Sequence, residues 1–277
     1  MSMQELSLGS TVVLEGGVPM PRFGLGVWQC PGHVATRAVV AALGAGYRHI
    51  DTARIYGNEA EVAKGIRDSG VPREEVFVTT KLWTADHGYD QALKAFDESE
   101  KRLGIGVVDQ FLSHFPVAGR RVDAWRALVE LKRTGRCRSI GVSNYTERHL
   151  QELIDQTGVA PEVNQVEFHP FLNQKGLLAF CKQHKIQVVA YSPLTHGKRL
   201  DDPRLAAIAE RLRKSPAQVL IRWALQMDLV VIPKSSRPER IAENAAVFDF
   251  RLSDADLRAM DAWHENLRTC WDPTDEP

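Results

Sequence analysis

Cysteine is scarce in this sequence: there are 4 in 277 residues, at positions 30, 137, 181 and 270, with no Cys-x-x-Cys and no histidine at metal-ligand spacing. That pattern supports neither a zinc site nor a disulfide framework, and isolated cysteines suit a reducing compartment. Net charge is missing too. The 35 Lys and Arg balance the 35 Asp and Glu, and no basic run occurs, so the electrostatic footprint of a nucleic-acid binder is absent. No apolar stretch approaches the roughly 18 residues of a membrane span. The opening MSMQELSLGS has neither the positive segment nor the apolar core of a secretory leader. These absences leave a cytoplasmic protein that acts on small molecules, with no nucleic-acid or membrane partner.

What the chain does contain is rhythm. Short apolar runs lie at Phe23–Gly26, Tyr47–Ile50, Val76–Thr80, Val108–Ser113, Ser139–Val142, Glu162–Val166, Gln187–Ala190 and Leu229–Pro233. Several are almost continuous Val, Ile, Leu and Phe, as expected of parallel strands buried on both faces. Between them the spacing is helical: Trp125, Leu128 and Val129 stand at i, i+3, i+4, as do Leu150, Leu153 and Ile154. Leu205, Ile208, Ala209 and Leu212 carry the same period over two turns. Gly46, Gly70, Gly104, Gly135 and Gly158 follow helical stretches and precede strands, where a left-handed C-terminal cap favours glycine. Strand and helix therefore alternate throughout, which implies a parallel sheet with right-handed crossovers.

Eight strands suit a closed barrel or an open doubly wound sheet. The open sheet would usually carry Gly-x-Gly-x-x-Gly after its first strand, and neither Gly24-Leu25-Gly26 nor Gly104-Ile105-Gly106 supplies the third glycine. The expected fold is thus a single (β/α)8 barrel spanning residues 1–277, preceded by a β-hairpin over Leu6–Leu14 that turns at Gly16-Gly17.

A barrel of this kind collects its active site at the C-terminal ends of the strands. The polar residues that end the apolar runs are Asp51, Lys81, His114, Ser143 with Asn144, Gln165, Tyr191 with Ser192, and Lys234 with Ser235; Tyr56 follows in the loop DTARIYGNE. Each taken alone has a plain structural use. Asp51 suits a helix cap, Lys81 a solvated strand end, and Ser143-Asn144 a turn. Seven strand ends all closing on polar chemistry point instead to a reactive pocket. A lysine ammonium beside Tyr56 would favour the phenolate and lower the phenol's pKa from near 10. Asp51 would hold that lysine, Tyr56 would protonate a carbonyl oxygen, and a neutral His114 would orient it. Such an assembly has no nucleophile and no metal, so the absent partner is a hydride donor.

The segments GLGVW, YRHIDTARIYGNE, VTTKLW, VDQFLSHFP, IGVSN, NQVEFHP, VVAYSPL and IPKSSRPERIAEN together resemble the aldo-keto reductase superfamily from about Gly24 to the C-terminus. With its WDP near the end, the chain is most similar to bacterial 2,5-diketo-gluconate reductases. The resemblance implies a tetrad of Asp51, Tyr56, Lys81 and His114 and NADPH as cofactor. Ser143, Asn144 and Gln165 would hold the nicotinamide carboxamide, Tyr191 would stack on the ring, and Ser192, Pro193 and Leu194 would follow the pyrophosphate. Lys234, Ser235 and Arg240 would meet the adenosine 2′-phosphate, with Glu243 and Asn244 near the adenine. Trp28, Trp83, His114 and Phe115 would wall the substrate pocket, and a monomer is expected. Three positions depart from the family pattern: Phe115 where tryptophan is usual, Thr195 for a glycine, and Ser236-Arg237 beside the phosphate site.

The expected reaction is NADPH-dependent reduction of an aldehyde or ketone, with sugar keto acids, methylglyoxal-like dicarbonyls or simple aldehydes as substrates. Two other readings stay open on sequence. One is a barrel that binds NADP as a regulatory signal with little turnover; the other is an aldolase-like enzyme forming a Schiff base on Lys81.

Overall fold

The computed structural model of the chain describes residues 6–277; residues 1–5, the start of the stretch read above for a leader, lie outside the described residues. An antiparallel pair opens it, β1 (Thr11–Val13) and β2 (Pro19–Pro21), the hairpin foreseen from the Gly16-Gly17 turn. Eight parallel strands follow: β3 (Leu25–Gly26), β4 (His49–Asp51), β5 (Phe77–Leu82), β6 (Val108–Ser113), β7 (Cys137–Ser143), β8 (Val163–Glu167), β9 (Gln187–Tyr191) and β10 (Val230–Val231). They pair in sequence order, and parallel bridges Phe23 to Val231 and Gly26 to Lys234 join the last strand to the first. The sheet closes into a (β/α)8 barrel, as expected.

The helices are α1 (His33–Gly44), α2 (Glu59–Ser69), α3 (Tyr89–Leu103), α4 (Arg121–Arg133), α5 (Glu147–Thr157), α6 (Lys175–Gln183), α7 (Pro203–Leu212), α8 (Pro216–Gln226), α9 (Pro238–Ala245) and α10 (Asp254–Asp261). The periodic runs at 125–129, 150–154 and 205–212 fall on α4, α5 and α7. Their apolar stripes bury Trp125, Leu128, Leu150, Leu153, Leu205 and Ile208 in the main apolar core. The five glycines assigned to helix ends all have positive φ, from 55° at Gly104 to 95° at Gly46.

Strand edges differ from the sequence reading in instructive ways. β5 extends through Lys81 to Leu82, so the lysine sits inside a strand and not after one. β3 and β10 shrink to two residues each, because their neighbours Phe23 and Lys234 bond only as isolated bridges and Pro233 has no N–H for the ladder.

Strand alternation decides what faces the barrel axis. On β5, Val78, Thr80 and Leu82 face the helices, while Phe77, Thr79 and Lys81 face inward; the same parity turns His49 and Asp51, Gln110 and Leu112, Ser139 and Ser143, and Val163 and Gln165 inward. Low in the barrel an apolar plug of Leu14, Met20, Phe77, Val163 and Val189 is closed by the hairpin. A polar layer crosses above it, where His49, Thr79, Gln110 and Ser139 are linked by hydrogen bonds of 3.0–3.3 Å. Gly141 is required in this interior: a Cβ there would lie 2.6 Å from the Val163 carbonyl oxygen. Asp51 and Lys81 form the next layer up.

Candidate active site

Lys81 is fully buried, and its ammonium has three neighbours. It donates to Asp51 Oδ1 at 2.5 Å, to the Thr52 carbonyl at 2.9 Å and to Tyr56 Oη at 3.4 Å. The other carboxylate oxygen of Asp51 accepts from Gln165 Nε2 at 2.7 Å. A buried ion pair is tolerable only when the remaining donors and acceptors are used in this way. Burial pushes the Asp51 carboxyl up and the Lys81 ammonium down, while each one's charge pulls the other back. Asp51 caps no helix; Asn58 begins α2.

Tyr56 reaches the lysine from a short turn, Arg54–Tyr56, that follows β4. Its phenol does not behave as the sequence reading expected. Burial first, and then the negative charge of Asp51, push its pKa well above 10. Burial and the Asp51 carboxylate outweigh the lowering expected from Lys81. The phenol is therefore a loaded acid at rest, and the lysine contact gains value only as the proton leaves.

His114 follows β6. Burial, Lys81 and His87 hold its pKa well below 6.5, so the ring is neutral at physiological pH. Its Nδ1 is buried with no hydrogen-bond partner among the described residues, which leaves Nε2 for the cavity. Tyr56 and Trp83 meet the ring edge-on at 5.7 and 5.5 Å, and Phe115 stacks on it at 4.8 Å.

These groups line a cavity of about 540 Å³ at the C-terminal rim. It gathers Asp51, Tyr56 and His114 with Trp28, Trp83 and Phe115 on one side; Ser143, Asn144, Gln165 and Tyr191 lie on another, and Ser192, Pro193, Leu194 and Lys234 complete it. Lys81 stands behind Tyr56. A larger cavity of about 700 Å³, near the N-termini of α5 and α6, contains none of these residues. Asn144, in the left-handed region at φ 65°, donates to the His114 carbonyl at 3.0 Å and accepts from Tyr191 Oη at 2.7 Å, tying the two walls together. Ser143 Oγ is committed to the Gln165 carbonyl at 2.8 Å.

Ser235, Arg240, Glu243 and Asn244 lie outside the cavity, on the approach to α9 and along it. Ser235 and Asn244 are buried; Lys234, Arg237 and Arg240 are exposed, and no carboxylate among the described residues pairs with any of the three. Three unpaired cations at a helix start suit a phosphate dianion. Thr195, which replaces the usual glycine, keeps a left-handed φ of 52° and is buried, its Oγ1 accepting from Arg199 N at 3.1 Å. The loop thus retains the glycine-like backbone at the cost of local strain.

Sequence reasoning missed Gln29, Ile55, His196, Cys270 and Trp271, all of which line the cavity. The last two come from the C-terminal segment, which has no strand or helix period to betray it. Among the described residues no helix is long and apolar enough to cross a membrane.

The sequence pattern of the Aldo/keto reductase family matches residues 22–265. The glyoxal reductase of Bacillus subtilis is 49% identical over 263 residues, covering 95% of each chain. Among solved structures, a Gox0644 variant in complex with NADPH aligns at TM-score 0.92 and 43% identity, covering 96% of this chain and 98% of that one. A Bombyx mori aldo-keto reductase in complex with NADP aligns at 0.89 and 35% identity, covering 96% of both.

Proposed function

The chain belongs to the aldo/keto reductase family and is an NADP-dependent oxidoreductase, and on that footing we propose that it reduces an aldehyde or ketone to the alcohol with Tyr56 as proton donor. The observation that carries this reading is Lys81 Nζ lying between Asp51 and the Tyr56 hydroxyl, behind the wall of a cavity that Asp51, Tyr56 and His114 line. NADPH, when bound, supplies the hydride. Tyr56 gives its proton to the carbonyl oxygen as negative charge grows there, and the Lys81 ammonium stabilises the phenolate left behind. His114 donates from Nε2 to the same oxygen, its neutral state fixed by burial. Gln165 is held by Asp51 through its amide nitrogen and offers its oxygen to a ligand amide, while Tyr191 presents a ring face and Ser192–Leu194 the backbone for a pyrophosphate. Lys234, Ser235 and Arg240 take the 2′-phosphate, and Glu243 and Asn244 the adenine edge.

The aromatic wall of Trp28, Trp83 and Phe115 carries no cation. Lys234, the one Lys or Arg among the described residues that lines the cavity, stands beside Gly26 and belongs to the phosphate end. A sugar keto acid would bring its carboxylate there without a partner, so the pocket favours neutral aldehydes and dicarbonyls over the diketo-gluconate class that the overall likeness suggested. The Bacillus relative's name, glyoxal reductase, agrees with a dicarbonyl. The working unit is one domain over residues 1–277, acting as a monomer; light scattering near 31.0 kDa checks this.

The direct test is loss of NADPH absorbance on adding a panel of aldehydes and dicarbonyls. Tight NADPH binding with no turnover across the panel would replace this reading with that of a cofactor-holding barrel. The pH profile gives a second test. His114 is shifted down and so is neutral above its ordinary 6.5, and Tyr56 is shifted up and so stays protonated below its ordinary 10. The kcat/KM for reduction should therefore be level between those two values; an acid limb centred near 6.5 would contradict it. For the cofactor, Arg240→Ala should raise KM for NADPH by about 10- to 100-fold, the worth of one charge-assisted hydrogen bond, and leave NADH use nearly unchanged. An equal loss with both cofactors would remove Arg240 from the phosphate.

A further inference from the structure

Strand parity on β8 turns Val163, Gln165 and Glu167 toward the barrel axis, and Glu167 is the residue nearest the rim. Its side chain is fully buried, and among the described residues no lysine or arginine pairs with it. Oε1 accepts from Thr269 N at 2.9 Å, from the Thr269 hydroxyl and from His169 Nε2 at 3.2 Å, and Oε2 accepts from Cys270 N at 3.1 Å. Burial alone would push this carboxyl up, but those four donors hold it below the ordinary glutamate value, as an anion. The residues it grips belong to an irregular segment with no ladder of its own.

Trp271 comes next in that segment. Although 39% exposed, it lies edge-on to Phe115 at 4.5 Å, and Phe115 stacks on His114 at 4.8 Å. One line of contacts therefore runs from Glu167 through the 269–270 backbone to Trp271, Phe115 and the histidine.

We propose that Glu167 is a positioning residue: its carboxylate fixes the C-terminal segment so that Trp271 forms the outer wall of the substrate cavity and selects flat aromatic carbonyl compounds over small ones. This rests on the reductase reading above. A ring-bearing aldehyde bound in that cavity can stack on Trp271, whereas a small dicarbonyl offers it no ring.

The test compares 4-nitrobenzaldehyde with glyoxal in wild type, Glu167→Gln, Trp271→Ala and the double variant. Glu167→Gln should lower kcat/KM for the aromatic aldehyde about tenfold, through KM, and change that for glyoxal by less than about twofold. NADPH affinity should hold. In the Trp271→Ala background the same change should add less than about twofold, because the wall it positions is gone. Should Glu167→Gln not fold, Thr269→Val removes one donor to the carboxylate and should shift the same ratio in the same direction. A parallel readout needs no turnover: acrylamide quenching of Trp271 emission in the cofactor-free protein, taken as the difference from Trp271→Phe partners, should rise in Glu167→Gln. Equal losses on both substrates, effects that multiply in the double variant, or unchanged quenching would each overturn the proposal. If wild type turns over nothing in the carbonyl panel, the reductase reading falls, and the quenching comparison alone decides whether Glu167 positions Trp271.

Discussion

Replacing Tyr56 with phenylalanine is expected to cut kcat for aldehyde reduction on the order of 10³-fold while leaving the NADPH dissociation constant within about twofold. Phenylalanine keeps the ring that meets His114 edge-on and removes only the hydroxyl. Lys81 loses its longest contact, 3.4 Å, and keeps Asp51 and the Thr52 carbonyl, so the buried pair survives and so does the fold. The loss should therefore fall on chemistry and not on folding or cofactor binding. Stopped-flow single turnover with saturating NADPH separates these, since it reads the chemical step before product leaves. His114 cannot stand in for the acid, because burial keeps it neutral and its Nδ1 has no partner to relay a proton. Retention of more than about a tenth of the rate would take the acid role from Tyr56.

The contrast between what the sequence disclosed and what it hid is physical. Asp51, His114 and Gln165 were legible because barrel strands deliver their last inward residue to the rim, and the apolar runs mark where strands end. Lys81 was legible in role and misjudged in place: at the end of a run of valines and threonines it reads as a strand exit, yet it pairs in the ladder opposite Leu112. The acidity of Tyr56 was not legible at all. Its sign depends on whether burial and the Asp51 carboxylate outweigh the lysine, and that is set by side chains 25 to 30 residues apart in the chain. The C-terminal wall was hidden for another reason. Thr269 and Cys270 are fixed by Glu167, 102 and 103 residues earlier in the chain, through three hydrogen bonds with no periodic signature. Glu167 itself was one step of parity beyond Gln165, and that spacing was the available clue.

The second large effect concerns stability as well as rate. Lys81→Met leaves the Asp51 carboxylate buried with only the Gln165 amide for company. Stripping one partner from a buried pair costs about 3–5 kcal/mol, and for a chain of this size that lowers Tm by on the order of 10 °C. Reduction should fall as well, because nothing then stabilises the phenolate when Tyr56 gives up its proton. The informative comparison is the double variant Asp51→Asn with Lys81→Met. Removing both charges leaves no unpaired ion, and the asparagine oxygen can still accept from Gln165, so most of the lost Tm should return. Activity should not. A carbonyl in the cavity would still meet a neutral phenol, but its conjugate base would have no cation beside it, and turnover should stay near the Lys81→Met level. Stability and rate would then separate along one ion pair: a recovery of both would mean that the ammonium serves only the fold, and a recovery of neither would mean that burial, and not the unpaired charge, set the cost.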